Sequence, residues 1–201
     1  MSEEAASPGD AATASNPPRE AGKGPWVRVG LVGALPARRK LVIDGRHVTL
    51  LRVPAPLWQR QLQRRRLHGE SGEARRGSTW CQGTQTLGFV CLDTTCYHAG
   101  GPLTSGDIEE VAGRLCLTCP WHHYRVDVET GEGLYMDLGR KWRSKGKRQR
   151  VHQVRVADGD VMEVRLSTEK EGEELPSDVY AYGFKFQQRA EHASREDETL
   201  A

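Results

Sequence analysis

The chain has 201 residues, 37% hydrophobic and 28% charged, with a formal net charge of +2. Such a length holds one domain of ordinary size or a smaller one with appendages, and so small a net charge excludes a whole-chain field that would gather nucleic acid. No apolar run approaches the roughly 20 residues needed to cross a bilayer, so no membrane-anchored form is expected.

Residues 1–24 mix Ala, Ser, Pro and Gly with Glu3, Glu4, Asp10 and Glu20. They have no apolar stretch of a secretory signal and no basic amphipathic face, so a disordered tail on a cytoplasmic protein is expected. A domain is expected over 25–187. Its first strand lies near Trp26–Val32, and Lys40–Ile43 and Val48–Leu51 flank Asp44-Gly45, a hairpin signal.

Residues 54–87 break the β pattern with Pro54 and Pro56, then with Arg60, Arg64, Arg65, Arg66, Arg75 and Arg76 and a Gly/Ser stretch. Trp58, Leu62 and Leu67 would mark one side of a helix only irregularly, so this Arg-rich insertion reads as a loop. Strand character returns at Gly88–Leu92, at Leu115–Leu117 and at Tyr124–Val128, the last leading into the turn 129–133 and a further hairpin. Val151–Val156 and Val161–Leu166 pair around Asp158-Gly159, Val179–Phe186 suggests a late strand, and 188–201 reads as a second disordered tail. The sum is an all-β protein.

Five cysteines (Cys81, Cys91, Cys96, Cys116 and Cys119) are an odd number, which in a reducing compartment points to metal before disulfides. Two of them belong to a pattern: Cys96-Tyr97-His98, twenty intervening residues, then Cys119-Pro120-Trp121-His122. Each segment offers one thiolate and one imidazole. Mixed Cys₂His₂ donors divided in this way suit a binuclear iron–sulfur cluster with one iron on the Cys pair and one on the His pair. A structural zinc site is the alternative, although common zinc fingers place two Cys on one element and two His on another. Cys116, Cys91 and Cys81 read as small residues of strands and insertion.

The residues Cys96–Leu103, Gly106–Glu109, Cys119–His122, Thr130–Tyr135, Lys141-Trp142, Ser144–Gly146, Gln149–His152 and the region near Ser177-Asp178 resemble the Rieske [2Fe–2S] domain family, and within it the soluble Rieske-type ferredoxins of animals. The resemblance runs over roughly Trp26–Phe186 and omits Pro54–Leu87. It implies a β-sandwich or incomplete barrel carrying a small rubredoxin-like cluster-binding subdomain. It also implies one [2Fe–2S] cluster, with Cys96 and Cys119 on an inner iron and His98 and His122 on an outer iron through Nδ1. Rieske centres span roughly −150 to +300 mV. High-potential members carry an extra Cys in each loop; here Gly101 and Trp121 occupy those places, so a potential at the low end is expected.

The job implied is one-electron transport between a reductase and an acceptor enzyme, by a monomer with no nucleic-acid or membrane partner. A Rieske oxygenase would need a further mononuclear iron site, for which no two-His-one-carboxylate set follows His122. A redox or iron-status sensor, whose cluster gates partner binding, is the second reading. The basic run Arg140–Arg150 would either steer an acidic partner or be a solvated hairpin rim. His47, His68, His123, His152 and His192 are assigned no metal.

Overall fold

Phe89–Asp93 is buried at every position, and the rest of the chain is arranged around it. The computed structural model describes residues 23–67, 88–167 and 174–182. In chain order the elements are β1 (Lys23–Leu31), β2 (Arg38–Ile43), β3 (Arg46–Arg52), α1 (Ala55–Leu67), β4 (Phe89–Asp93), β5 (Asp107–Val111), β6 (Arg114–Thr118), β7 (Arg125–Asp127), β8 (Glu132–Met136), β9 (Trp142–Lys147), β10 (Val151–Ala157), β11 (Val161–Ser167) and α2 (Asp178–Ala181). A six-stranded sheet runs β1-β11-β10-β4-β3-β2 and a five-stranded sheet runs β5-β6-β7-β8-β9. Every pairing is antiparallel. The expected all-β class is what the chain adopts, and among the described residues no helix is long and apolar enough to cross a membrane.

Side chains alternate across a strand, and β4 uses both of its faces. Phe89 and Cys91 join Val48, Leu50, Val154, Met162 and Val164 in one apolar cluster within the six-stranded sheet. Val90 and Leu92 point the other way and join Leu51, Val126, Leu115 and Leu117 in a second cluster between the sheets. Cys96 and Cys119 belong to this second cluster. A strand buried on two faces has no solvent side to alternate with, which explains the continuous apolar run Phe89–Leu92.

The Asp44-Gly45 hairpin forms as expected, with both residues at positive φ (49° and 77°), the geometry that matches a two-residue turn to strand twist. The hairpin β10–β11 forms as well.

Two expectations are corrected. The first part of the 54–87 insertion is not a loop: Ala55–Leu67 is a helix. The Pro54 carbonyl accepts the N–H groups of Leu57 and Trp58, each at 3.0 Å, and Pro56 lies in the first turn, where its missing donor costs nothing. Leu57, Trp58 and Leu62 face the inter-sheet core, with Trp58 only 3% exposed. Gln61 Nε2 donates to Glu129 Oε1 at 3.0 Å, and Arg60 and Arg64 pair with Glu110. Leu67, counted in the expected helical face, is exposed, whereas Leu57, which was not counted, packs inward. Residues 68–87, including Cys81, lie outside the described residues.

The late strand is also replaced, since Asp178–Ala181 is a short helix and the residues after 182 lie outside the description. This segment is tied down by ions rather than by a ladder. Asp93 accepts Arg46 Nε at 2.7 Å, Arg46 Nη2 at 2.8 Å and Ser177 Oγ at 2.8 Å. Asp178 accepts Arg150 Nε at 2.7 Å and is also paired with Arg46. Both tail regions, 1–22 and 183–201, are outside the described residues.

Candidate metal centre

The segments that carry the expected ligands fold into two loops of the same construction. In the first, between β4 and β5, the Cys96 N–H donates to the Gly101 carbonyl at 2.8 Å and the Gly100 N–H to the Cys96 carbonyl at 2.9 Å. In the second, between β6 and β7, the Cys119 N–H donates to the Tyr124 carbonyl at 2.9 Å and the His123 N–H to the Cys119 carbonyl at 2.9 Å. The fifth residue of each loop is left-handed, Gly100 at φ 72° and His123 at φ 55°. Each loop thus turns tightly around its own cysteine, with the backbone groups of the turn satisfied internally. These paired loops are the small subdomain that the resemblance implied.

The loops sort their donors by depth. Cys96 and Cys119 are 0% and 1% exposed, while His98 and His122 lie at the surface. The two thiols are close enough to act on each other electrostatically. The two imidazoles meet edge to face, with centroids 4.9 Å apart. Among the described residues no three His, Cys, Asp or Glu side chains converge on one point; these four stand two and two.

The electrostatics follow from that depth. Burial pushes the Cys96 thiol up to about 12 against the pull of the His98 N–H, and the Cys119 sulfur adds to the rise. A thiol held there loses its proton at neutral pH only to a cationic group that replaces it. Partial desolvation, then the positive fields of His122 and Lys145, hold the His98 ring below its ordinary 6.5, so it is a neutral donor at pH 7.

Close approach of the loops depends on glycine. A Cβ on Gly101 would lie 2.6 Å from Cys119 Sγ and 3.2 Å from the Trp121 ring. Gly101 and Trp121 therefore face each other across the loop pair. A donor set of two buried thiols and two surface imidazoles, over a cradle that one methyl group would fill, fits a cluster with two irons of unlike ligation.

Supporting residues surround the loops. Gln149, fully buried, accepts the Tyr97 N–H at 2.9 Å and donates to the Thr95 carbonyl at 2.8 Å, so it grips the backbone on both sides of Cys96. Thr95 Oγ1 in turn donates to the Tyr180 carbonyl at 3.1 Å, which joins the first loop to the C-terminal segment. Tyr124 stacks on His98 with centroids 3.9 Å apart and 12° between planes. Lys145 of β9 brings its Nζ to 4.5 Å from the Tyr124 centroid.

From sequence, Lys145 stands only within the basic run Arg140–Arg150 and, like Gln149, within the stretches that carry the resemblance, with no role given to either side chain at the loops. Tyr124, which closes the second loop two residues after His122, reads from sequence only as the start of a strand.

The remaining candidates stand apart. Cys116 projects to the opposite face of β6 from Leu115 and Leu117, into a cluster with Val111 and Leu134. Burial pushes its thiol up to about 12. Cys91 faces the six-stranded sheet's own core. His47 and His123 are exposed; His68 and His192 lie outside the described residues.

His152, which has no carboxylate neighbour in sequence, gains one in space. Its Nδ1 accepts the Ser167 N–H at 3.2 Å, so Nε2 carries the proton and donates to Asp93 Oδ1 at 3.1 Å.

Residues 84–169 match the family described as soluble Rieske-type ferredoxin. The chain is similar to a Rieske domain-containing protein of Homo sapiens, 46% identical over 102 residues, which cover 47% of this chain and 63% of that relative. It thus spans less than two thirds of the relative's length. Among solved structures it is similar to the ferredoxin of carbazole 1,9a-dioxygenase from Nocardioides aromaticivorans, at 23% identity and a TM-score of 0.41 over 69% of this chain and 95% of that one. It is also similar to apo dicamba monooxygenase, at 16% identity and a TM-score of 0.44 over 82% and 39% of the two chains.

Proposed function

With residues 84–169 assigned to the soluble Rieske-type ferredoxins, we propose that the chain is a one-electron carrier that holds one [2Fe–2S] cluster through Cys96, His98, Cys119 and His122. Its partners are a reductase that supplies the electron and a redox enzyme that accepts it, and it works in the cytoplasm. The observation that carries this reading is the sorting of the four donors, buried thiol beside buried thiol and surface imidazole beside surface imidazole, on two loops of like construction.

When bound, the cluster supplies a site that gains and loses one electron, at a potential raised by neutral imidazoles in place of two thiolates. The chain's own residues do the rest. Cys96 and Cys119 keep their sulfurs away from water in the inter-sheet core. His98 and His122 bring their rings to the surface, within reach of a partner. Tyr124 lies flat on His98 and fixes the plane of that ring. Gln149 locks the backbone on both sides of Cys96, so the ligand loop need not reorganise when charge arrives.

The test is stopped-flow redox cycling of anaerobically purified protein. Iron and sulfide should be present in equal amounts, and the visible bands should bleach and return with a one-electron stoichiometry. Bands that bleach without returning, or a stoichiometry of two electrons, would refute a carrier.

A further inference from the structure

The loop pair has one strongly basic flank. β9 is an edge strand of the five-stranded sheet, and it follows the exposed turn at Leu138. Arg140, Lys141, Lys145 and Arg148 are exposed along this flank and Lys147 is half-buried, whereas Arg143 is paired with Asp137 at 2.9 Å. The nearby carboxylates are already committed: Asp137 also accepts the Lys141 N–H at 2.8 Å, and Glu132 accepts Arg114 and Ser144, each at 2.8 Å. A chain whose net charge is only +2 therefore concentrates cations here.

The flank reaches the imidazoles through one stack. The Tyr124 ring has His98 on one side, 3.9 Å away between centroids, and Lys145 Nζ 4.5 Å from its own centroid. The same ammonium lies 5.5 Å from the Tyr135 ring, which is 41% exposed. Trp121, 54% exposed, stands beside His122 with centroids 6.4 Å apart. The surface thus joins an apolar patch at the imidazoles to cations at its edge, the anatomy of a small electron-transfer interface.

We propose that this face, with Lys145 as its central cation, docks a redox protein that presents carboxylates around its own redox centre. The inference rests on the carrier reading and adds the charge class of the partner. Complementary charge steers encounter, and a patch of exposed aromatic rings gives the encounter a dry centre. RNA, the other polyanion, is less well suited. Of the rings that could stack a base, Tyr124 is covered by His98 and Lys145, which leaves only Trp121 and Tyr135, each about half exposed.

The experiment uses dithionite-reduced, desalted holoprotein, with native cytochrome c as a cationic probe and fully succinylated cytochrome c as an anionic one. The visible spectrum is recorded on the oxidised protein before dithionite is added; a colourless protein at that stage refutes the carrier reading itself and the inference with it. With coloured protein, the rate toward the succinylated probe should fall as salt is raised past about 0.1 M, where screening reaches within about 10 Å, and the rate toward the native probe should rise. Lys145→Glu should slow reduction of the succinylated probe by about 10-fold, and Lys145→Gln by less. Lys40→Glu, the same charge change on β2 of the other sheet, should alter it by less than about twofold. Equal effects of Lys145→Glu and Lys40→Glu, or salt slopes of the opposite sign, would overturn the proposal. Retention of the protein on polyuridylate resin without any preference between the two probes would assign the flank to RNA instead.

Discussion

Gln149 accepts the backbone N–H of Tyr97 at 2.9 Å from a site with no solvent exposure. Its amide nitrogen donates to Thr95 on the other side of Cys96, so one side chain from the approach to β10 fixes the first ligand loop from beneath.

Gln149→Leu leaves the Tyr97 N–H and the Thr95 carbonyl buried without a partner, at a cost of about 2–4 kcal/mol for the pair. Urea unfolding should register that loss, and the visible bands should bleach faster under chelator than in the parent. Gln149→Glu retains an acceptor for Tyr97 and should keep the loop closer to its parent behaviour at pH 5 than at pH 8, where a buried charge is forced on it.

Gly100 and His123 occupy the same left-handed position in the two loops, and only one of them is suited to it. A side chain in that region costs about 1–2 kcal/mol. His123→Gly should therefore raise the midpoint of thermal unfolding and Gly100→Ala should lower it. Opposite signs from chemically matched positions would be measured by differential scanning calorimetry on the two single variants.

Trp58 places the helix of the insertion against the core that contains both cysteines. Trp58→Ala should cost about 3–5 kcal/mol by the usual cavity argument. If α1 were a peripheral ornament, the denaturation midpoint would scarcely change.

The buried network around Asp93 gives stability a pH dependence of known sign. Burial holds His152 below its ordinary 6.5. The folded state therefore resists protonation there, and stability present above pH 6.5 is lost as pH falls through it. For Asp178, burial is outweighed by the hydrogen bonds of Arg150 and the Leu175 N–H and by Arg46, which bring it from 3.8 to about 2. Arg46 and His152 likewise keep Asp93 below 3.8 against the effect of burial. Both carboxylates add stability that is lost only as pH falls below about 4, and for Asp178 the loss extends toward about 2. Thermal midpoints should decline in two stages on acidification, and His152→Gln should remove the first stage and leave the second.

How much of this was legible in the sequence varies with the range of the interaction. Strands bounded by Asp-Gly turns were readable because the signal is local, as at Asp44-Gly45. The pairing of Cys96 with His98 and of Cys119 with His122 on two tight loops was readable because each Cys and His lie close in sequence. The helix Ala55–Leu67 was misread because its buried face is set by Leu57, Trp58 and Leu62, and Leu67 misled by being apolar yet exposed. The Val179 region was misread as a strand because ion pairs from Asp178 to Arg46 and Arg150, across 132 and 28 residues, anchor it instead. Gln149 was invisible as a clamp because its partners lie more than 50 residues away.

The most direct test of the account is pulsed EPR of the dithionite-reduced protein with ¹⁵N-labelled histidine, beside iron and sulfide analysis. The account predicts about two iron and two sulfide per chain, with two coupled histidine nitrogens, one of which is lost in His98→Cys and the other in His122→Cys. A colourless, EPR-silent protein with one zinc and no sulfide would contradict it and leave a structural metal domain.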